Sequence, residues 1–289
     1  MIKNILIYYY SVCPTFCRRV VNNYSIEVDG RSFWLMYINP FEYNRLSDII
    51  FLYEMCLSFI PDFHHIVRAK SGDFFISFKG NTYVLVEFFK KHYNLDTVLV
   101  DMNKMSISLK TYMWSSLWRH KIDYLENYYN SKKITKSIDF YFDYFVGLAE
   151  NAIYLFNTFF ENKNCELAVQ HRRYITESFY DNPLNLVVDY RVRDLAEFIK
   201  SEYLYSNLSI DEILKMVKLE KFGNSEIKLL MIRLLYPSCF FDLYEKSIRE
   251  DDFVLKHSVE VKLKNYPLFL RKISQHSFFK RYFDFWISS

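Results

Sequence analysis

The rhythm of apolar and polar positions changes near residue 92. Before that point, short runs of strand length are separated by turn signals. Residues 19–29 alternate loosely and end at Asp29-Gly30, a dipeptide that favours a tight hairpin turn. Ser32 to Ile38 follows as an apolar strand, so the two runs predict a hairpin. Asn44 to Phe59 carries Leu46, Ile49, Ile50, Tyr53 and Leu57 at helical spacing, and Pro61 stops it. Ile66-Val67, a turn at Ser71-Gly72-Asp73, Phe74 to Phe78, a turn at Lys79-Gly80-Asn81 and Tyr83 to Phe89 complete the region. The order is strand, strand, helix, strand, strand, strand. Met1 to Tyr10 opens the fold as a strand or a helix.

From about residue 93 the period becomes helical. Ser106 to Tyr129 aligns Leu109, Met113, Leu117, Ile122 and Leu125. Ser137 to Phe160 is long and aromatic on all sides, which marks a helix buried in the core of a helical lobe. Leu184 to Val188 reads as a strand. Helices follow at Asp194 to Tyr205, Ser209 to Leu219, Ser225 to Tyr236, Phe240 to Glu250 and around Pro267 to Trp286. Ser209 with Glu212 forms a capping box, and Pro237 ends the helix before it. The pattern predicts an α+β fold with a small β-rich lobe over 1–91, holding one helix, and a larger helical lobe over 92–289.

Composition narrows the function. The chain of 289 residues is 51% hydrophobic and 20% aromatic, enough apolar surface to offset chain entropy over its length. Only five Gly are present, which leaves no Gly-rich phosphate loop. A net charge of +3, with basic residues scattered in short pairs such as Lys132-Lys133, gives no footprint for nucleic acid. No apolar stretch reaches the length of about 18 residues that a membrane span needs. The expected location is cytoplasmic. Cys13, Cys17, Cys56, Cys165 and Cys239 are odd in number and scattered, so free thiols are expected rather than disulfides or zinc. Tyr8-Tyr9-Tyr10, Tyr128-Tyr129 and Tyr141 to Tyr144 have the spacing of core packing.

Two stretches carry a family resemblance. Ile60-Pro61 through Phe88 resembles the end of the small lobe in spore-coat-associated kinase-like proteins of Firmicutes, the CotS and YutH groups. Tyr190-Arg191-Val192-Arg193-Asp194-Leu195-Ala196-Glu197-Phe198-Ile199-Lys200 resembles a segment of the YutH group and the D-L-A segment of aminoglycoside phosphotransferases. The resemblance implies a two-lobed, protein-kinase-like fold. It also implies a set of charge-specific roles, because phosphoryl transfer is mostly positioning and electrostatics. Active members place a Lys on a small-lobe strand, an Asp in an H-x-D loop, an Asn further along that loop, and a second Asp on a following strand for magnesium.

Set against those roles, the chain departs from the pattern. Met36 or Tyr37 stands at the Lys position. His171-Arg172-Arg173 is the candidate H-x-D loop, with Arg173 in the Asp position and Ser178 in the Asn position. An Arg neither accepts a proton nor binds magnesium at neutral pH. Asp189 remains as a weak magnesium candidate, and its distance from Asp194 is shorter than in active phosphotransferases. Asp194 is expected to hold the loop near His171 and Arg172, to cap the helix that follows, or both. His171 reads as a packed loop histidine.

The expectation is therefore a catalytically inactive kinase-like protein that binds other proteins, coat proteins among them where the source organism sporulates, with no cofactor. Two alternatives stay open. One is an active small-molecule phosphotransferase in which Asp189 and Glu177 share the magnesium of an ATP complex. The other is an anion- or sugar-binding module lined by Arg172, Arg173, Arg191 and Arg193. The ordinary reading of those arginines is ion pairing with Glu177, Asp181, Asp189 and Glu197.

Overall fold

The computed structural model describes residues 2–20, 22–59, 63–89, 114–131, 141–160, 165–172, 182–206, 208–217, 219–250 and 264–282. The chain forms two compact units. One joins Met1–Met105 to His171–Val187, and the other joins Ser106–Gln170 to Val188–Ser289. The expected boundary near residue 92 lies outside the described residues.

The first unit is built on a six-stranded antiparallel sheet. Its strands are β1 (Phe16–Val20), β2 (Asn23–Val28), β3 (Arg31–Ile38), β4 (His65–Val67), β5 (Ile76–Phe78) and β6 (Asn81–Phe88). The order is β1-β2-β3-β6-β4, with β5 also on β6. Strand β6 pairs with β3 along one side, from Ser32 opposite Phe88 to Ile38 opposite Thr82. Its other side is shared, β4 covering Glu87 to Leu85 and β5 covering Tyr83 to Asn81. Two turns set this register. Asp29-Gly30 and Lys79-Gly80 both have positive φ at both residues, the geometry whose twist matches a two-residue hairpin.

The region 16–28 departs from expectation, because it holds two strands rather than one. Val20 pairs with Asn23, so the chain reverses inside the alternating run, where Asn22 is a weaker turn signal than Gly or Pro. The N-terminus resolves as a helix, α1 (Ile2–Ile5), which widens into a π-helical turn over Leu6–Tyr10 and ends at Ser11 in the left-handed region. Ile5, Leu6 and Tyr10 pack with Phe33, Leu35 and Leu85 in the core of this unit. Tyr8 of the same run is 71% exposed, so the tyrosine triplet is only partly core. Helix α2 (Leu46–Phe59) follows a 3-10 turn at Pro40–Arg45. Its Tyr53 hydroxyl accepts the Ile66 amide of β4 at 2.9 Å, which ties helix to sheet.

The second unit holds α3 (Trp114–Ser131), α4 (Phe142–Phe160), α5 (Arg193–Tyr205), α6 (Ile210–Met216), α7 (Asn224–Leu235), α8 (Ser238–Glu250), α9 (Tyr266–Gln275) and α10 (Ser277–Lys280). Ser209 and Glu212 form the expected capping box on α6. The apolar face of α4 buries Phe142, Phe145, Ala149 and Phe156, and the Phe145 ring stacks on Phe240 at 4.2 Å. Trp118 stacks flat on Tyr236 at 4.2 Å. Between α4 and α5 the chain makes β7 (Leu167–His171) and β8 (Leu186–Tyr190), which pair as a separate two-stranded sheet. The five cysteines are free thiols.

Candidate functional site

The position expected for a small-lobe Lys, Met36 or Tyr37, lies on β3, a central strand paired on both sides. Met36 is half-buried there, opposite Val84, and no Lys stands on the strand. The adjacent Tyr37 gives its backbone N–H to Asn23 at 3.0 Å and sets its ring against Tyr83. Arg31 opens the strand and clamps Glu87 in two parallel bonds, Nε to Oε1 at 2.6 Å and Nη2 to Oε2 at 2.5 Å. On α2, Glu54 pairs at the surface with Arg68 at 3.4 Å. Arg31 and Arg68 are thus each held by a carboxylate.

Asp189 sits on β8, 4% exposed. Its Oδ1 accepts the Trp114 indole N–H at 2.7 Å and the Tyr190 backbone N–H at 2.7 Å. Its Oδ2 accepts Nη1 of Arg193 in a close ion pair. Only Arg191 and Val192 separate the end of β8 from the start of α5, so Arg193 opens the helix four residues after Asp189 and reaches back to it. Burial disfavours the Arg193 charge, but Asp189 outweighs it and raises the guanidinium above its ordinary value. Both carboxylate oxygens therefore have protein donors.

Asp194 is 1% exposed. The helix starts one residue earlier than expected, with Val192 at the N-cap and no side-chain cap bond, so Asp194 lies in the first turn. A carboxylate there suits the positive end of the helix dipole. Its backbone N–H donates to Oε1 of Gln170, the residue that precedes His171, at 3.0 Å. His171 is buried at the end of β7.

The four arginines have three describable members, each on a carboxylate. Arg172 pairs with Glu42, which Arg45 also holds at 2.9 Å, and burial of Glu42 is outweighed by these two cations, so its pKa is lowered. Arg191 reaches Glu166 at 2.6 Å and Glu226 at 3.2 Å. Arg193 is on Asp189. Arg173, Glu177, Ser178 and Asp181 lie outside the described residues.

Glu197 is engaged elsewhere, in a buried network that local sequence signals do not reveal. Lys200, 2% exposed, gives Nζ to Glu197 Oε1 at 2.8 Å, to Ser238 Oγ at 2.6 Å and to the carbonyls of Tyr236 and Arg233 at 3.2 and 3.3 Å. Arg233 Nε donates to the same Glu197 oxygen at 2.8 Å and lays its guanidinium over Trp114. Burial pushes the Glu197 carboxyl up, but Lys200 and Arg233 outweigh it and hold it at about 2. The tell-tale spacing is Glu197 to Lys200, three residues apart on one helix face; the other partners come from distant helices.

A sheet-based unit, a helical unit and an acidic residue on a two-stranded sheet just before a D-L-A helix are consistent with the kinase-like fold of aminoglycoside phosphotransferases. Solved structures bear out that fold. An aminoglycoside phosphotransferase from Alicyclobacillus acidocaldarius is similar with a TM-score of 0.60 and 12% identity, over 91% of this chain and 92% of that one. An amicoumacin kinase is similar with a TM-score of 0.59 and 10% identity, over 92% of each. The family model "Spore coat putative kinase YutH" matches residues 3–279, and the chain belongs to that family. "Endospore coat-associated protein YutH" of Bacillus subtilis (strain 168) is 25% identical over 215 residues, 62% of this chain. The match spans 62% of that relative's length. Among the described residues no helix is long and apolar enough to cross a membrane.

Proposed function

We propose that the chain is a non-catalytic kinase-like protein that works by binding other proteins, coat proteins among them. The observation that carries this reading is the closed carboxylate of Asp189. In a phosphotransferase the acid at that place offers oxygens to magnesium. Here a guanidinium, an indole and a backbone amide already fill them. Met36 supplies no cation for nucleotide phosphates, and in the sequence Arg173 stands where the loop needs a carboxylate. The described residues do not fit a magnesium–nucleotide complex, and no transfer step follows from them. The printed name of the Bacillus subtilis relative supports the coat setting.

The test has two arms. Full-length protein is melted with and without ATP and magnesium, and ATP turnover is followed in parallel. The expected result is an unchanged melting midpoint and no turnover. A fluorescent fusion expressed in sporulating Bacillus subtilis is expected in the coat fraction. Stabilisation by ATP and magnesium that Asp189→Asn abolishes, together with ATP turnover, would favour the small-molecule phosphotransferase. Absence of the fusion from the coat fraction would remove the coat setting.

A further inference from the structure

We propose that Arg193 is a built-in replacement for the divalent cation at Asp189, so that this carboxylate is neutralised from within the chain and is closed to metal. The inference rests on the non-catalytic reading above and gives it a mechanism.

Three features make the replacement. The first is length: β8 ends at Tyr190 and α5 begins at Arg193, so the connection is too short for a loop to carry the residues apart. The second is direction. Side chains of a helix lean toward its N-terminus, and the first-turn position of Arg193 aims its guanidinium back at the strand end. The third is enclosure. The Asp189 side chain is 6% exposed and the Arg193 side chain 14%. Opposite charges removed from water are strongly held when hydrogen bonds complete them, and removing one partner strands the other.

A magnesium ion would have to displace this cation. Magnesium demands near-octahedral oxygen ligation and keeps several waters. The Asp189 carboxylate instead meets an indole N–H, an amide N–H and a guanidinium, donors that repel a cation. Expelling the guanidinium would break the close ion pair that contributes most to holding its charge in a buried place, ahead of Asp194 and Glu197. The exchange is unfavourable on both sides.

The experiment uses nucleotide-free, full-length protein and Mn2+ as the probe. Mn2+ is titrated into the wild type, Arg193→Ala, Asp189→Asn and the doubly neutral Asp189→Asn/Arg193→Met. Bound metal is read by electron paramagnetic resonance, and folding by the melting midpoint. The wild type is expected to bind no Mn2+ in the millimolar range. Arg193→Ala is expected to melt about 5 °C or more lower and to recover part of that loss with Mn2+. The doubly neutral variant is expected to melt above Arg193→Ala and to ignore Mn2+. If Arg193→Ala fails to fold, the double variant carries the comparison with Asp189→Asn, which is expected to melt below it. Mn2+ bound by the wild type and lost in Asp189→Asn would overturn the proposal. So would an Arg193→Ala variant that melts like the wild type. Neither outcome involves ATP turnover, so either can fail while the non-catalytic reading stands.

Discussion

Trp114 and Asp189 stand 75 positions apart in the chain and share a buried hydrogen bond of 2.7 Å, from indole N–H to carboxylate. The indole is fully buried and also meets the Tyr190 ring edge-on at 4.9 Å. One residue of α3 therefore fixes both the charge and the ring at the end of β8.

Trp114→Phe keeps an aromatic ring and removes the donor. Loss of a buried bond to a charged acceptor is expected to cost about 1.5–3 kcal/mol. The measurement is chemical denaturation followed by far-ultraviolet circular dichroism. A wild-type midpoint in Trp114→Phe would show that Asp189 does not need the indole.

Glu197 is the common acceptor of Lys200, Arg233 and Ser238. Glu197→Ala leaves two cations without their buried counter-charge and is expected to cost about 3–5 kcal/mol. The same group sets an acid limit. Its folded pKa of about 2 lies below the ordinary 4.5. Its stabilisation is thus fully present above about 4.5 and is lost as pH falls through about 2. Melting curves from pH 5 to pH 2 are expected to fall, and a Glu197→Gln variant is expected to fall less steeply over that range.

His64 sets a milder window. Burial, helped by neighbouring His65, lowers its pKa from 6.5 to about 4. Its Nδ1 accepts the Phe89 backbone N–H at 3.2 Å, which requires that nitrogen to be unprotonated. The unfolded chain takes up a proton that the fold refuses, so stability is complete above about 6.5 and declines as pH falls toward 4. His64→Asn is expected to flatten the melting midpoint between pH 7 and pH 4.5. Nuclear magnetic resonance titration of the His64 ring, showing an ordinary value, would contradict the assignment.

Much of the first unit is legible in the sequence because its turns are chemical. Asp29-Gly30 and Lys79-Gly80 need residues that tolerate positive φ, and those residues announce the hairpins. Between β1 and β2 the sequence offers Asn22 and no Gly, a weaker signal, so one alternating run conceals two strands. Helix faces such as that of α4 are legible because burial imposes a period. The kinase-like class is legible through the Arg193 to Lys200 segment, whose match to relatives is dense. The Asp189–Arg193 pair is visible as two opposite charges four residues apart where the strand gives way to the helix. The indole that completes it is not, because α3 meets β8 only after the chain has folded. The Lys200 network is hidden for the same reason: three of its acceptors lie on or beside α7 and α8.

The sharing of the far side of β6 bears on how copies of the sheet meet. A strand approaching that rim finds three residues of β4 and three of β5, with no continuous line of amides to extend. At the opposite rim β1 is five residues long and carries exposed Arg18 and Arg19. Short rims and edge charges deter strand-on-strand growth. The sheet is therefore a poor template for its own repetition.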